Sequence, residues 1–153
     1  FSRVYKETEG INQNKIYPAS YDRPNDICIN VSYRKRTRWS YSANWIYISG
    51  SAITTPTGFY YYNGYTVPIY DKKNNDRLPD YHRMDVSLTY DFKKNDRRKV
   101  KQSLNLSVYN LYARRNAYSV TFRQNEENPN ISEATRLSII GSVIPAITYN
   151  FNF

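Results

Sequence analysis

Apolar and polar residues alternate at every second position along much of this chain. Side chains on a β-strand point to opposite faces in turn, so this alternation predicts strands that each have one apolar face. The stretch RMDVSLTYDF is the cleanest, with Met84, Val86, Leu88, Tyr90 and Phe92 on one face and Arg83, Asp85, Ser87, Thr89 and Asp91 on the other. The pattern predicts an antiparallel up-and-down meander of strands near residues 20–34, 38–54, 81–93, 99–122 and 135–153.

The last strand has the same pattern in ITYNFNF, where Ile147, Tyr149, Phe151 and Phe153 share one face. Pro145 precedes this run and cannot donate a hydrogen bond to a neighbouring strand. We therefore expect a bulge or bend at Pro145 and a regular strand from Ala146 onward.

The predicted connections differ in length. RKRTR and KKNDRRKVK are short, whereas residues 54–80 form a long loop and residues 6–18 and 123–134 form medium loops. Short turns at one end of a sheet and long loops at the other are typical of outer-membrane barrels. Strands of roughly 9–11 residues also suit a tilted crossing of the hydrocarbon layer.

Alternation alone leaves two architectures open, because a soluble β-sandwich or small barrel also buries one face of each strand. Two features favour the membrane barrel. The polar faces are rich in small Ser, Asn, Thr and Asp residues, which suit a wet lumen, and aromatic residues lie next to the short turns, where an aromatic girdle forms. These aromatic residues are Tyr33, Trp39, Tyr41, Tyr90 and Phe92.

Composition supports an all-β class and sets limits on the partners. The chain has 153 residues, 17 of them Tyr, and aromatic residues suit strands. It has no run of 18 apolar residues, which excludes a membrane-spanning helix. The net charge of +9 leaves a second reading open, that of a soluble basic β-domain that binds nucleic acid or another anionic partner.

The basic residues fall in two clusters at the predicted short turns. One contains Arg34, Lys35, Arg36 and Arg38, and the other contains Lys93, Lys94, Arg97, Arg98, Lys99 and Lys101. Both clusters lie at the same end of the predicted sheet, and neither is accompanied by a base-stacking motif. We therefore interpret them as solvated turns and predict no nucleic-acid partner.

The residues that carry chemistry are few and dispersed. His82 is the only histidine and Cys28 the only cysteine, so neither has the companions that a metal site or an activated nucleophile requires. Asp85 and Asp91 share a face but lie several residues apart, which fits a polar lining better than acid–base catalysis. We predict no catalytic residue, no metal and no cofactor.

Four segments taken in order resemble a known family. They are YPASYDRPNDICINVSYRKRTRWSYSANWIYISGSAITTP, LPDYHRMDVSLTYDF, SLNLSVYNLYARRNAYSVTF and IPAITYNFNF. Together they resemble the C-terminal part of TonB-dependent outer-membrane receptors, especially those of the Bacteroidetes type. In SVYNLYARRNAY the Asn-Leu-aromatic step is similar to that of the family, while Ala113 and Arg114 replace the commoner Asp-Lys.

The resemblance implies the fold, location and partners. Family members are barrels of about 22 antiparallel strands with an N-terminal plug, and they import scarce ligands such as siderophores, vitamins, glycans or peptides. Residues 1–153 would supply the last five or six strands, without the plug, as part of a longer integral protein of the bacterial outer membrane. The implied partners are outer-membrane lipid, the plug and other strands of the receptor, TonB through the missing N-terminal part, the barrel assembly machinery and a surface lipoprotein.

The barrel interpretation assigns directions to residues of this chain, the resemblance adds an assembly signal, and the composition of the long loop adds candidate contacts. Ile27, Val31, Trp45, Val86, Leu88, Leu106 and Phe151 are expected to face lipid, and Asp85, Ser87, Asn105 and Asn150 to face the interior. Tyr149, Phe151 and the terminal Phe153 are similar to the signal that the assembly machinery reads. In the long loop, the candidate ligand or loop contacts are Phe59, Tyr60, Tyr61, Tyr62, Tyr65 and Tyr70, whose flat amphipathic rings suit stacking on sugars or on a partner.

Overall fold

The computed structural model describes residues 1–35, 38–92, 101–125 and 132–152. These residues form an all-β structure with thirteen strands and one short 3₁₀ turn. The strands are β1 (Tyr5–Lys6), β2 (Tyr17–Pro18), β3 (Asp26–Lys35), β4 (Trp39–Ile48), β5 (Ala52–Ile53), β6 (Gly58–Tyr62), β7 (Tyr65–Ile69), β8 (Asp76–Arg77), β9 (Tyr81–Asp91), β10 (Lys101–Tyr109), β11 (Ser119–Gln124), β12 (Ser132–Leu137) and β13 (Ile144–Asn152), and the 3₁₀ turn is Asn12–Asn14.

The long strands form one five-stranded sheet in the order β3-β4-β9-β10-β13. The pairs β9–β10 and β10–β13 are antiparallel. The order β3, β4, β9, β10, β13 follows the chain, so each long strand pairs with the next one, as the alternation predicts. The all-β class and the antiparallel meander of the long strands are therefore confirmed.

Cross-strand contacts show that β4 also runs antiparallel to β9. Trp39 stacks near Tyr90, with ring centroids 4.5 Å apart, and the Ser42 and Ser87 hydroxyls lie 2.8 Å apart. Residue numbers thus rise along β4 as they fall along β9. The connection from β3 to β4 is only a few residues long, which requires an antiparallel hairpin.

The chain divides into two compact units. The first, which we call the loop unit, comprises residues 1–26, 48–81 and 116–139. The second, the sheet unit, comprises residues 27–47, 82–115 and 140–153 and contains the five-stranded sheet. The loop unit is built from the two-stranded pairs β1–β2, β5–β8, β6–β7 and β11–β12.

Two predicted strands are wrong in their extent. The strand predicted over 99–122 ends at Tyr109, and Ser119–Gln124 forms β11, which pairs with β12 rather than with the sheet. The strand predicted over 135–153 is likewise two elements, because β12 ends at Leu137 and β13 begins at Ile144. The apolar residues keep the same two-residue spacing from β10 to β11 and from β12 to β13. The spacing alone therefore does not show that the strands end between them.

The expected bulge at Pro145 is wrong, because Pro145 lies opposite Val108 in an unbroken register between β13 and β10. The predicted strand ends differ from the observed ones in two further places. Residues 20–25, predicted as the start of the first strand, precede β3 and are not in a strand. The strand predicted over 38–54 ends at Ile48, and Ala52–Ile53 is a separate short strand. The backbone of residue 49 instead pairs with residue 25, since the Ser49 N–H donates to the Asn25 carbonyl at 2.9 Å.

The described residues of the sheet unit have no apolar core of their own. The buried apolar side chains of the described residues, among them Tyr17, Ala19 and Ala52, belong to the loop unit. In the described part of the sheet unit the one buried residue is Asn110. The sheet is therefore a single layer that leaves large apolar side chains exposed.

Candidate functional site

The register places apolar residues of neighbouring strands opposite one another on one face of the sheet. Leu106 on β10 lies opposite Leu88 on β9 and opposite Ile147 on β13. Val108 lies opposite Val86. Leu106 is 43% exposed and Ile147 is 75% exposed. This face of the sheet is therefore accessible to solvent although its side chains are apolar.

An open groove of about 450 Å³ runs along the same apolar face. The apolar residues that line it are Val31, Tyr33, Tyr41, Ala43, Val86, Leu88, Leu106 and Val108. Its surface is almost entirely hydrocarbon, and Val31 on the β3 edge is 57% exposed. Such a surface is suited to contact with apolar chains rather than with water.

The opposite face of the sheet is a ladder of polar side chains. The Asn105 amide on β10 donates to the Thr89 hydroxyl on β9 at 2.7 Å, and the Ser42 and Ser87 hydroxyls bond across β4 and β9. On β3 the Cys28 thiol lies 3.5 Å from the Asn44 side-chain oxygen. We therefore interpret Cys28 as one member of this polar ladder.

Two ion pairs lie on the polar face. Arg34 and Asp91 form an ion pair with a 3.1 Å separation. Arg83 forms another with Asp85 at 2.9 Å, and its guanidinium lies 4.1 Å from the centre of the Tyr109 ring. This pairing neutralises both guanidinium groups and leaves Arg83 in a cation–π contact.

Asn110 fixes the point where β10 leaves the sheet. It has a φ of 55°, a left-handed conformation that asparagine tolerates better than most residues. Its side-chain oxygen accepts from the Arg114 N–H at 3.1 Å, and its amide nitrogen donates to the carbonyls of Arg114 and Ser142 at 3.2 Å. The Asn-Leu-aromatic step is thus a local turn, in which Ala113 also has a positive φ of 53°.

Aromatic side chains form a belt across the end of the sheet that carries the short connections. Along this belt the ring centroids of Trp39 and Tyr90 lie 4.5 Å apart, those of Tyr90 and Phe92 5.3 Å, and those of Phe92 and Tyr149 6.4 Å. The aromatic belt consists of Tyr33, Trp39, Tyr41, Tyr90, Phe92, Tyr149 and Phe151. These rings lie on the apolar side of the sheet, in phase with Leu88 and Ile147.

Two of the three residues expected to form an assembly signal lie in this belt. Tyr149 and Phe151 are on β13, with ring centroids 6.3 Å apart, and both are more than half exposed. Among the described residues, β13 is an edge strand of the sheet and pairs with β10 alone. Phe153, the third residue, lies outside the described residues.

A buried ion pair holds the loop unit together. Asp22 has no solvent exposure, and its carboxylate accepts hydrogen bonds from the Arg77 guanidinium and from the Val4 N–H. Arg77 also donates to the carbonyls of Asp22 and Gly50 at 2.9 Å. Burial alone would raise the pKa of Asp22, but these hydrogen bonds and the positive charges of Arg77 and Arg3 outweigh it and hold the pKa below its usual value.

Gly50 allows an unusually close approach of two backbone segments in the loop unit. A Cβ atom at Gly50 would lie 1.6 Å from the carbonyl oxygen of Leu78. The Gly50 N–H also donates to the Asp80 carboxylate at 2.9 Å. A side chain is therefore excluded here, which explains a glycine at this position.

Asparagine amides replace backbone pairing elsewhere in the loop unit. The Asn12 side chain donates to the Lys73 carbonyl at 3.0 Å and accepts from the Lys73 N–H at 2.7 Å. Asn75 pairs with the backbone of Thr55 in the same two-way manner, and Asn74 donates to the Pro18 carbonyl at 2.7 Å. These contacts link segments that are far apart in the chain and give the loops a defined conformation.

The six aromatic residues of the long loop lie on or beside a β-hairpin rather than in an irregular loop. Phe59, Tyr60, Tyr61 and Tyr62 are on β6, Tyr65 begins β7, and Tyr70 directly follows β7. Asn63 and Gly64 form the turn with φ values of 51° and 87°. The Asn-Gly pair between two apolar runs is the sequence signal that identifies this hairpin.

The residues that organise the loop unit are not detectable by alternation. Asp22 and Arg77 are 55 residues apart, and no local pattern connects them. Asn110 does have a local sequence signal, since asparagine followed by a change of pattern favours a left-handed turn. The described residues contain no helix long and apolar enough to cross a membrane and no group of three or more His, Cys, Asp or Glu that could hold a metal ion.

Comparison of the chain with family models, with curated proteins and with solved structures found no match.

Proposed function

We propose that this chain is the C-terminal part of the β-barrel of a TonB-dependent outer-membrane receptor, which imports a scarce ligand across the bacterial outer membrane. The five-stranded sheet would form part of the wall of a barrel of about 22 strands. Its apolar face would contact lipid and its polar face would line the interior.

The observation that carries the proposal is the combination of an exposed apolar face with a hydrogen-bonded polar face on a single-layered sheet. A soluble domain covers the apolar face of a sheet with a second layer. In the described sheet unit the apolar side chains, such as Leu106 and Ile147, are exposed instead. Hydrocarbon tails would cover that face, while the polar ladder around Asn105 and Ser87 would remain hydrated.

The aromatic belt supports the same orientation. Tyr and Trp concentrate where the hydrocarbon layer meets the headgroups. The belt lies at one end of the strands, and among the described residues Lys35, Arg38 and Lys101 flank it. This order of apolar, aromatic and basic residues matches a strand passing from hydrocarbon through headgroups to water.

The receptor's other proposed partners rest on the sequence resemblance. They are the plug and the remaining strands, TonB acting through an N-terminal segment, the barrel assembly machinery and a surface lipoprotein. The ligand belongs to the siderophore, vitamin, glycan or peptide class. In this proposal the chain has no catalytic role and no nucleic-acid partner.

The charged residues that the structure describes support the alternative, a soluble basic domain, less well than they support the receptor. Phosphate binding requires unpaired Lys or Arg on one face. On the polar face, however, Arg34 and Arg83 are each paired with a carboxylate. Among the described residues, Lys35 and Arg38 flank the aromatic belt at the ends of strands, where solvent reaches them.

Cell fractionation tests the proposal. Bacteria that produce the whole protein containing this chain are lysed without detergent, and their membranes are separated on a density gradient. We expect the protein in the outer-membrane fraction, resistant to extraction by high salt and carbonate. Recovery in the soluble fraction, or release from the pellet by nuclease, would contradict the proposal and favour the basic soluble domain.

Two adjacent substitutions supply a matched control in that experiment. Leu88→Arg places a charge on the apolar face, and Thr89→Arg places the same charge on the polar face. A charge facing lipid costs roughly 2–4 kcal/mol near the middle of the bilayer. We therefore expect Leu88→Arg to reduce the amount of folded protein in the outer membrane well below the amount found for Thr89→Arg.

A further inference from the structure

The hairpin β6–β7 presents a preformed surface rather than a flexible loop. Tyr62 and Tyr65 pair directly across the Asn63-Gly64 turn. Both turn residues have positive φ, as the tight turn of a two-residue hairpin requires. At the open end, the Thr57 N–H donates to the Ile69 carbonyl at 2.9 Å and closes the hairpin.

The two faces of this hairpin have different surroundings. Register and alternation place Tyr60, Tyr62 and Tyr65 on one face, which we call the tyrosine face. Thr66 and Tyr61 lie on the other face, where the Thr66 hydroxyl donates to the Gln124 side-chain oxygen at 3.0 Å. The contact with β11 therefore occupies the face opposite the tyrosine face.

The tyrosine face is exposed and carries no charge. Tyr60, Tyr62 and Tyr65 are 50%, 65% and 75% exposed. The segment from Thr57 to Tyr70 contains no Asp, Glu, Lys or Arg, in a chain whose net charge is +9. Anionic and cationic ligands are recognised by opposite charges, so this surface is suited to an uncharged ligand.

The size of the tyrosine face favours a small or linear ligand over a folded protein. A tyrosine side chain buries about 150–250 Å² when it is covered completely. At the observed exposures the three rings offer roughly 300–450 Å², whereas a stable protein interface covers about 800 Å² on each partner. An oligosaccharide strand fits the smaller area.

We infer that the tyrosine face binds a neutral glycan. The apolar faces of the sugar rings stack on the aromatic rings of Tyr60, Tyr62 and Tyr65, and the sugar hydroxyls exchange hydrogen bonds with the phenol groups. Tyrosine provides this contact area with little loss of side-chain freedom. The inference rests on the proposed function in one respect, since it names the class of ligand that the receptor would import.

A binding measurement on the whole protein in detergent tests the inference. The probes are neutral glycans of several backbones, namely an α-glucan, a β-glucan, a mannan, a xylan and a fructan, with polygalacturonate as an anionic control. We expect at least one neutral glycan to bind and polygalacturonate not to bind. The absence of binding to every neutral probe would overturn the inference.

Substitutions then locate the binding surface. We expect Tyr62→Ala to weaken binding about tenfold and Tyr62→Phe, which keeps the ring, to weaken it less. Tyr61→Ala is the matched control because Tyr61 is 73% exposed on the opposite face of the same strand. Equal losses for Tyr61→Ala and Tyr62→Ala would contradict the assignment to the tyrosine face.

The outcome separates the inference from the function on which it rests. A protein that resides in the outer membrane but binds no neutral glycan leaves the receptor proposal intact and removes only the inference. A soluble protein removes the receptor proposal, while glycan binding can still be measured by itself. Circular dichroism of each variant checks that its strand content is unchanged.

Discussion

The carboxylate of Asp22 is completely shielded from solvent and is hydrogen-bonded to the guanidinium of Arg77, 55 residues later in the chain. Arg77 simultaneously donates to two backbone carbonyls, those of Asp22 and Gly50. A buried carboxylate that loses its cationic partner is strongly destabilising. This pair is therefore a strong constraint on the described loop unit.

The first prediction concerns the pH dependence that Asp22 contributes. The pKa of Asp22 is lower in the folded state than in the unfolded chain, so the unfolded chain takes up the proton first as pH falls. The stabilisation is fully present above the unfolded pKa of about 4 and is lost as pH falls through the lower folded pKa. Hydrogen exchange of the loop-unit amides at a series of pH values measures this loss.

Arg77→Ala is the corresponding substitution. It leaves the Asp22 carboxylate buried without its cation, and we expect a loss of about 3 kcal/mol in the stability of the loop unit. Arg123→Ala is the control, because the Arg123–Glu133 pair is exposed and such pairs contribute about 0–1 kcal/mol. Similar losses for both variants would show that the Asp22–Arg77 pair is no stronger than a surface contact.

A second prediction follows from the close approach at Gly50. In Gly50→Ala the new methyl group would overlap the Leu78 carbonyl, so the backbone must move and the bonds of Gly50 to Asp80 and Arg77 are strained. We expect a loss of about 2–3 kcal/mol, typical of overpacking. Thermal unfolding followed by near-ultraviolet circular dichroism measures it.

Gly58→Ala is the matched control for Gly50→Ala. A Cβ at Gly58 meets no atom within 4 Å, and its backbone conformation is one that alanine adopts. We expect its stability to stay the same or to rise by about 0.4–1 kcal/mol through the lower entropy of the unfolded chain. A destabilisation equal to that of Gly50→Ala would contradict the steric explanation.

A third prediction separates the two contributions of Asn110. Asn110→Gly keeps the left-handed conformation but removes the side-chain bonds to Arg114 and Ser142. Asn110→Ala removes the same bonds and adds a backbone cost of roughly 1–2 kcal/mol. We expect both variants to be less stable than the wild type, with Ala below Gly in chemical denaturation; the reverse order would contradict the conformational argument.

A fourth prediction concerns Phe153, which the resemblance places in the assembly signal with Tyr149 and Phe151. Burial of one Phe stabilises by about 1.5–3 kcal/mol, which a large closed barrel should tolerate. If the assembly machinery reads this residue, its deletion from the whole protein lowers the amount of folded barrel in the outer membrane while synthesis is unchanged. Quantitative immunoblotting of membrane fractions and of total protein measures both, and normal outer-membrane levels would contradict the assignment.

The five long strands could be predicted from the sequence because period-2 alternation is a local property of the chain. The residues of RMDVSLTYDF, for example, lie in β9 except for Phe92, which directly follows it, and they have the predicted phase. The predicted aromatic positions next to the short turns are likewise in contact across the strands, as Trp39 and Tyr90 show. Both properties depend only on residues within one strand and its nearest turn.

The breaks and the loop unit could not be predicted in the same way. The left-handed turn at Asn110 redirects the chain while the apolar phase continues from Val108 to Val120. The Asp22–Arg77 pair and the asparagine bridges join distant segments, which no local period encodes. The Asn63-Gly64 turn carries a local signal, and the prediction of a long loop over residues 54–80 is wrong because β6, β7 and β8 lie within it.

The central claim, that the apolar face of the sheet contacts lipid, is tested most directly by two adjacent residues with opposite orientations. In a Cys28→Ser background, single cysteines replace Leu106 or Asn105 in the whole protein, which is reconstituted in bilayers and labelled with a nitroxide. We predict that the label at position 106 collides with oxygen dissolved in the lipid, and that the label at position 105 collides with a water-soluble nickel complex. A label at position 106 that is shielded from both would place Leu106 in a protein core and contradict the account.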